Sequence, residues 1–180
     1  MKPRIEPIEK PKGLITKIDF KILKRDFGKV IMPAKVIYAR YPKIMFAIKK
    51  MYDVENNLKK VSEEHKFLIQ NFIATINGCT FCMDISMKRA IQKNMSQEKF
   101  YDLMNYQTSN HYSDKEKSIL KYAEESTRNV IVADETFNAL KVHCDDYEII
   151  EITYVAAFEN YLNRMVKPLG IGSDQLCEIR

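Results

Sequence analysis

Two cysteines separated by two residues carry the most distinctive chemistry in this sequence. Cys79 and Cys82 stand in the segment Cys79-Thr80-Phe81-Cys82, directly after Asn77-Gly78. Glycine commonly ends a helix, so we expect the pair to lie at the start of the next helix. The free N–H groups and the dipole at a helix start stabilise an anion, which lowers the pKa of a thiol and favours the reactive thiolate.

The spacing of the pair allows both sulfurs to take part in one reaction. Residues three apart lie on one face of a helix, close enough for a disulfide. One thiolate can attack a peroxide or a disulfide, and the other can resolve the product as an internal disulfide. Two further interpretations stay open at this point, a pair of buried structural cysteines and one half of a zinc site. The other zinc ligands would have to come from His65, His111, His143, Cys144 or Cys177.

The composition indicates which kind of fold positions this pair. The chain has 180 residues, which is enough for one hydrophobic core that needs no disulfide or metal ion for stability. It contains only 5 glycines and 6 prolines. No proline stands between Pro42 and Pro168, and Gly78 is the only glycine in that stretch. A sandwich or barrel needs many glycine and proline turns, so the composition predicts an all-α fold.

Local start signals divide the chain into successive helices. Ser62, Ser96, Ser113 and Asp145 are predicted to cap helix N-termini, and the last two begin capping boxes. In the last predicted helix, apolar residues recur at mostly three- and four-residue spacing, which indicates a buried stripe. The helices expected from these signals and from Asn77-Gly78 cover about 63–77, 79–94, 97–107, 114–128, 134–142 and 146–166.

The N-terminal part of the chain is organised differently. Three of its first eleven residues are prolines, so residues 1–13 are predicted to form an extended arm that is flexible or lies on a neighbouring subunit. Thr16 is predicted to cap a helix that ends at Gly28, and Pro42 suits the first turn of a helix that reaches about residue 52. The expected organisation is therefore an arm followed by one all-α domain over residues 14–180.

Charge and hydropathy limit the kinds of binding partner and the cellular location that we expect. The net charge of +5 is a weak signal for nucleic acid, and no aromatic residues are interleaved with the basic clusters. No apolar run is long enough to span a membrane, and the N-terminus lacks the apolar core of an export signal. We therefore expect a cytoplasmic protein that binds neither nucleic acid nor membrane, with the cysteines in a reducing environment.

Residues 65–91 resemble the carboxymuconolactone decarboxylase / alkylhydroperoxidase D-like family. The CxxC at a helix start is the most specific part of the likeness, and the block from Glu159 to Arg164 is the second. The resemblance covers most of the chain from about residue 25 onward. It implies an all-α fold and a homo-oligomer, commonly a trimer or hexamer. We expect no cofactor and no metal ion.

The resemblance also implies an activity. The redox branch of this family consists of thiol-dependent peroxidases and disulfide reductases, in which the second cysteine of the motif attacks and the first resolves. Carried over to this chain, Cys82 attacks and Cys79 resolves. The expected function is an antioxidant one, the reduction of small organic hydroperoxides or exchange with disulfides, with electrons from an external thiol or dithiol.

Two positions depart from the peroxidase pattern. That pattern has a histidine four residues after the second cysteine and a glutamate twelve residues before the first. This chain has Ser86 and Phe67 at those positions. Serine can hydrogen-bond a thiolate but is a poor base at neutral pH. Another group must therefore move the proton if the chain is a peroxidase.

Four residues are candidates for proton transfer or its support. Ser86 stands at the histidine position, and Gln70 and Asn71 lie one turn after Phe67, where they could hold a water molecule. Glu151 stands in a largely apolar helix, where a buried carboxyl could act as a general acid or form a structural contact between helices. Asp84 follows Cys82 too closely to share its helical face and is expected to face another helix or solvent.

Two functions of other classes are alternatives to the reductase. The first is a catalytically degenerate member of the family that serves as a binding or scaffold protein. Such a protein would also lack the histidine and the glutamate. A cofactor-free decarboxylase or isomerase that acts on a small acid through Arg164 or the histidines is the second. Its activity would survive alkylation of both motif cysteines.

Overall fold

The computed structural model describes residues 2–95 and 98–177. Helices dominate both ranges, which contain no strand, so the predicted all-α fold is confirmed. A π-helical turn, Ala34–Tyr38, lies between the first two helices, and 3-10 turns occur at Leu103–Asn105 and Lys167–Leu169. The helices are α1 (Leu14–Phe27), α2 (Pro42–Asn57), α3 (Glu63–Ile76), α4 (Thr80–Gln92), α5 (Glu98–Tyr101), α6 (Asp114–Asn129), α7 (Asp134–Lys141) and α8 (Asp146–Val166).

The predicted capping residues begin the helices that position the site. The Ser62 hydroxyl accepts a hydrogen bond from the backbone N–H of His65 at the start of α3. Ser113 and Asp145 form complete capping boxes at α6 and α8. Such caps satisfy N–H groups that have no partner within the helix. The predicted cap Ser96 lies outside the described residues.

Three helix boundaries differ from the sequence prediction. Helix α1 begins after Gly13, and Thr16 lies buried in its first turn instead of capping it. Helix α2 continues beyond residue 52 to Asn57. The helix expected up to about residue 107 is replaced by the short α5 and a 3-10 turn. The interruption lies at Asp102, where the backbone leaves helical geometry, and the Asp102 carboxylate accepts a hydrogen bond from Asn105 at 3.0 Å.

Two hydrophobic clusters form the interior, with α3 at the centre of the packing. Helix α3 packs against α4, α6 and α8. The larger cluster fills the space between α3, α6 and α8. The smaller cluster joins α4 to α1 and to the π-helical turn, and it contains Cys79, Phe81 and Cys82. The cysteine pair is therefore part of a packed interior and does not lie on an exposed loop.

The N-terminal arm packs along its own chain. The Arg4 N–H donates to the carbonyl of Leu169 at 2.9 Å, and the Ile8 N–H donates to that of Lys35 at 3.0 Å. Gly170 has φ +69°, and a Cβ at this position would come within 3.3 Å of the arm's backbone. Glycine at position 170 thus permits the close approach of the arm. None of the helices in residues 2–95 and 98–177 combines the length and apolar character needed to cross a bilayer.

Candidate active site

Cys79 and Cys82 lie at the start of α4 and form a disulfide in this structure. Cys79 is the N-cap residue, Cys82 lies in the first turn, and their Cα atoms are 5.3 Å apart. Gly78, with φ +62°, ends the preceding connection, and the Cys79 N–H donates to the carbonyl of Ala74 at 2.7 Å. The side chains are only 1% and 3% exposed to solvent. The pair therefore has the position and spacing that dithiol–disulfide chemistry needs.

Only one cysteine of the pair lines a large cavity. The cavity has a volume of about 570 Å³, and Cys82 belongs to its wall whereas Cys79 does not. Residues of α1, the π-helical turn and the segment before it, α2, α3, α4 and α8 line it. The apolar part of the wall consists of Ile22, Leu23, Phe27, Ile31, Pro33, Met45, Ile48, Phe81, Ile85, Leu162 and Val166. The volume lies within the range of cavities that hold small organic ligands.

Most of the charged groups in the cavity wall are already neutralised by a partner. The Asp19 carboxylate lies 2.7 Å from the ammonium of Lys49. Asp26 lies 2.8 Å from the guanidinium of Arg25. The guanidinium of Arg89 stacks over the Tyr52 ring, 4.6 Å from the ring centroid, which adds a cation–π contact to the charges in the wall.

Glu159 is the carboxyl of the cavity wall without an ion pair among the described residues. It lies in α8 and is 5% exposed. Burial raises the pKa of Glu159 to about 7. The hydrogen bond from Asn163 lowers this pKa, whereas the nearby Glu55 raises it. A group with this pKa can both give and accept a proton near neutral pH.

Two of the predicted supporting residues, Ser86 and Gln70, line the cavity. The Ser86 hydroxyl donates to the Met83 carbonyl at 3.1 Å and accepts from the amide of Asn71 at 2.8 Å. The Gln70 amide donates to Glu55 Oε1 at 2.8 Å. Both side chains therefore use their protons in contacts within the protein. Asn71 supports Ser86 from outside the cavity wall.

Glu151 and Asp84 hold other parts of the fold. The Glu151 carboxylate accepts hydrogen bonds from the backbone N–H groups of Lys59, Lys60 and Val61 at 2.8–3.0 Å, and it does not line the cavity. Asp84 is fully buried and accepts hydrogen bonds from Ser173 and from the N–H groups of Leu176 and Cys177. Glu151 thus fixes the connection before α3, and Asp84 fixes the C-terminal segment.

Residues 2–95 and 98–177 contain no ligand set for the zinc site that the sequence left open. No group of three histidine, cysteine, aspartate or glutamate side chains there could hold a metal ion. Cys144 is buried in the larger hydrophobic cluster, apart from the cysteine pair. His65 lies 3.8 Å from the carboxylate of Glu116.

Sequence reasoning missed three groups of the cavity wall, namely Glu159, Arg89 and Tyr52. A signal for Arg89 was present, because Cys82, Ser86 and Arg89 follow each other at helical spacing on one face. Glu159 belonged to the block that carries the family resemblance, but no local pattern shows that its carboxyl enters the same cavity as Cys82. That relationship arises from the packing of α8 against α4.

Comparison with known proteins shows which fold this is. No family model matches the chain. It is 24% identical to the uncharacterised protein YnjA of Escherichia coli over 158 residues, which cover 87% of this chain and 86% of YnjA. The debrominase Bmp8, in complex with 2,3,4-tribromopyrrole, matches with a TM-score of 0.82 and 17% identity over 98% of this chain and 94% of Bmp8.

A further match decides the fold. An uncharacterised peroxidase-related protein with the alkylhydroperoxidase AhpD core, from Ralstonia eutropha JMP134, has a TM-score of 0.76 and 17% identity. The match covers 95% of this chain and 93% of that protein. The chain has the AhpD-like fold. The resemblance predicted from the CxxC segment is thus confirmed, and the AhpD-like helical arrangement places the pair beside the cavity.

Proposed function

We propose that this AhpD-like protein is a thiol-dependent reductase that acts on small organic hydroperoxides, with an antioxidant role. The observation that carries the proposal is that Cys82 lines the large cavity while Cys79, bonded to it, lies behind the wall. A substrate in the cavity meets the Cys82 sulfur first. The arrangement supports Cys82 as the attacking thiol and Cys79 as the resolving thiol.

The proposed reaction has two steps. In the reduced protein, the Cys82 thiolate attacks the terminal oxygen of the hydroperoxide, the O–O bond breaks, and an alkoxide leaves. Cys82 becomes a sulfenic acid, and protonation of the alkoxide gives the alcohol. The Cys79 thiol then displaces water from the sulfenic acid and forms the disulfide. An external dithiol, by thiol–disulfide exchange, supplies the two electrons that restore the pair.

The cavity supports a substrate that is small and largely apolar. Its wall consists mainly of aliphatic and aromatic side chains, and its volume of about 570 Å³ suits an organic molecule with a short carbon skeleton. The name of the peroxidase-related Ralstonia protein agrees with this class of reaction. Exchange with a small disulfide would use the same thiolate and the same resolving cysteine.

Hydroperoxide consumption with a dithiol donor tests the proposal. The wild type is expected to consume tert-butyl hydroperoxide faster than the dithiol alone, and Cys82→Ser is expected to lose this activity. Without the dithiol, Cys79→Ser is expected to react once and stop at an unresolved sulfenic acid. Cys144→Ser is the matched control, because Cys144 is a free buried cysteine apart from the pair. A wild type no faster than free dithiol would favour a binding or scaffold role.

Reductive debromination of a small heteroaromatic compound is a second candidate function. The alignment with the debrominase Bmp8 covers 98% of this chain, including the helices α1 and α2 that enclose the cavity. The balance is similar, since two thiols and an aryl bromide give a disulfide, the debrominated ring and hydrogen bromide. Bromide release from 2,3,4-tribromopyrrole, measured with the same variants and donor, distinguishes this activity from peroxide reduction.

We also propose that the protein assembles with copies of itself. Apolar side chains are exposed along one side of α1, where Leu14, Ile15 and Ile18 are half or more accessible in the single chain. Burial of such a surface stabilises association. Sedimentation velocity of the wild type against Ile15→Glu tests this, and a monomeric wild type would contradict it. A cytoplasmic location stays a prediction from the sequence.

A further inference from the structure

We propose that Glu159 is the proton relay of this site, taking the place of the absent histidine and glutamate. It would accept the proton of the Cys82 thiol and deliver it to the alkoxide that leaves during reduction of a hydroperoxide. The proposal rests on the proposed function, because it names the group that completes the same reaction. It concerns a residue of the cavity wall, 77 positions after Cys82 in the sequence.

Four other polar side chains of the wall are held by contacts within the protein. Asp19 and Asp26 are paired with Lys49 and Arg25. The Ser86 hydroxyl donates to a backbone carbonyl, and the Gln70 amide donates to Glu55. Burial raises the pKa of Tyr38 and of Tyr52 above that of a free phenol, so neither phenol ionises near neutral pH. Within residues 2–95 and 98–177, Glu159 alone shares the cavity with Cys82 as a carboxyl without an ion pair.

Hydrogen bonds fix the Glu159 carboxyl and leave one of its oxygens available. The Asn163 amide donates to Oε1 at 2.5 Å, and the Asn77 amide donates to Asn163 Oδ1 at 2.9 Å. Asn77 stands two residues before Cys79, so this chain of contacts links the carboxyl to the CxxC turn. Among the described residues, no other side chain hydrogen-bonds the Glu159 carboxyl, so Oε2 is available to a molecule in the cavity.

The charged groups around Glu159 suit a carboxyl that changes its protonation state. Glu55 on α2 favours the protonated form, whereas Arg89 on α4 and the Asn163 amide favour the carboxylate. Burial raises the pKa of Glu159 to about 7, which places the proton transfer near the pH of neutral solution. An acid or base with a pKa near the working pH is the most effective proton relay.

The proton balance of the proposed step closes within the cavity. The Glu159 carboxylate takes the thiol proton, which leaves the Cys82 thiolate and a neutral carboxyl. The thiolate attacks the terminal peroxide oxygen, and the carboxyl protonates the departing alkoxide as the O–O bond breaks. The products are the Cys82 sulfenic acid, the alcohol and the regenerated Glu159 carboxylate. The external dithiol enters only later, when it reduces the disulfide.

Leaving-group dependence of the Glu159→Gln variant tests this role. Glutamine keeps the size of the side chain and can still accept the hydrogen bond from Asn163. With tert-butyl hydroperoxide the leaving alkoxide is strongly basic, so loss of the acid is expected to lower the rate by about 100-fold or more. With peracetic acid the leaving acetate needs no proton donor. The second-order rate constant for oxidation of the reduced variant by peracetic acid is expected to stay near that of the wild type. This comparison is made at a pH where the Cys82 thiol is ionised in both proteins.

Glu151→Gln is the matched control, since it alters a buried carboxyl of the same helix that does not line the cavity. Its ratio of the two oxidation rates is expected to equal that of the wild type. Equal loss of both rates in Glu159→Gln, or no loss of either, would overturn the relay while leaving the reductase intact. A wild type that reduces neither oxidant would overturn the proposed function and the relay with it.

Discussion

The side chains of Asn77 and Asn163 are joined by a hydrogen bond of 2.9 Å, which the Asn77 Nδ2 group donates to Oδ1 of Asn163. The bond connects the residue before the Gly78-Cys79 turn to the last helix, α8. A second connection lies one turn further on, where the Lys167 ammonium donates to the backbone carbonyl of Asn77. Helix α8 therefore contributes a wall residue of the cavity and also holds the turn from which the cysteine pair begins.

Asn163→Ala is expected to destabilise the protein by about 1–3 kcal/mol. The substitution removes the buried partner of both Asn77 and Glu159, and unsatisfied buried polar groups carry a cost of this size. Urea unfolding of the reduced proteins measures the change. Asn105→Ala, which breaks an exposed contact with Asp102, is the control and should change the free energy of unfolding by less than about 0.5 kcal/mol. Equal effects of the two substitutions would contradict the structural role of Asn163.

The stability of the protein should fall as the pH rises through neutrality, and Glu159 should cause much of the fall. Burial raises the pKa of Glu159 from 4.5 to about 7, so the folded state binds the proton more tightly than the unfolded state. Its contribution is fully present below about pH 4.5 and is lost as the pH rises through about 7. The loss amounts to about 3 kcal/mol for a shift of this size.

Glu159→Gln is expected to remove this part of the pH dependence. Free energies of unfolding at pH 5 and pH 8, measured in urea for wild type and variant, give the comparison. Burial also raises the pKa of Glu55, so a slope of the same sign should persist in the variant and become smaller in the Glu159→Gln/Glu55→Gln double variant. A variant with the full wild-type slope would show that the titration of Glu159 does not cause the pH dependence.

The sequence predicted the local structure around the cysteine pair better than it predicted which residues form the site. Gly78 and the capping boxes of Ser113 and Asp145 carry short-range signals, and the structure places helix boundaries where those signals stand. The CxxC at the start of α4 follows from the same kind of signal. Asp102 shows the limit of such reasoning, because the backbone leaves helical geometry at this residue although the sequence around it predicts a continuous helix.

The cavity could not be predicted, since its walls come from distant parts of the chain. Whether a carboxyl serves as a cap or faces a cavity depends on tertiary packing, as Glu151 and Glu159 illustrate. They stand eight residues apart in one helix and are both buried. Glu151 meets three backbone N–H groups, whereas Glu159 meets the cavity. Periodicity marks both positions as interior and does not separate their roles.

Glu151→Ala should reduce stability by about 2–4 kcal/mol and leave the chemistry of the cysteine pair intact. The substitution leaves the N–H groups of Lys59, Lys60 and Val61 without their shared charged acceptor. Urea unfolding gives the stability, and hydroperoxide consumption well below the transition gives the activity. Glu135→Ala, on the exposed face of α7, is the control for loss of a surface carboxylate. A selective loss of activity in folded Glu151→Ala would assign Glu151 a catalytic role instead.

Asp84→Asn should increase the reactivity of Cys177 toward iodoacetamide. The Asp84 carboxylate accepts hydrogen bonds from the N–H groups of Leu176 and Cys177 and lies 3.3 Å from the Cys177 sulfur. Burial and this carboxylate together raise the pKa of Cys177 to about 11. Loss of the charge lowers that pKa and loosens the C-terminal segment, so alkylation at pH 8 should accelerate by at least about tenfold.

Mass spectrometry of alkylated protein, in a Cys79→Ser/Cys82→Ser background, measures the modification of Cys177. Cys144, which is buried away from Asp84, is the internal control. Faster alkylation of Cys177 alone would show a local effect of Asp84, whereas equal acceleration at Cys144 would show general unfolding and contradict it.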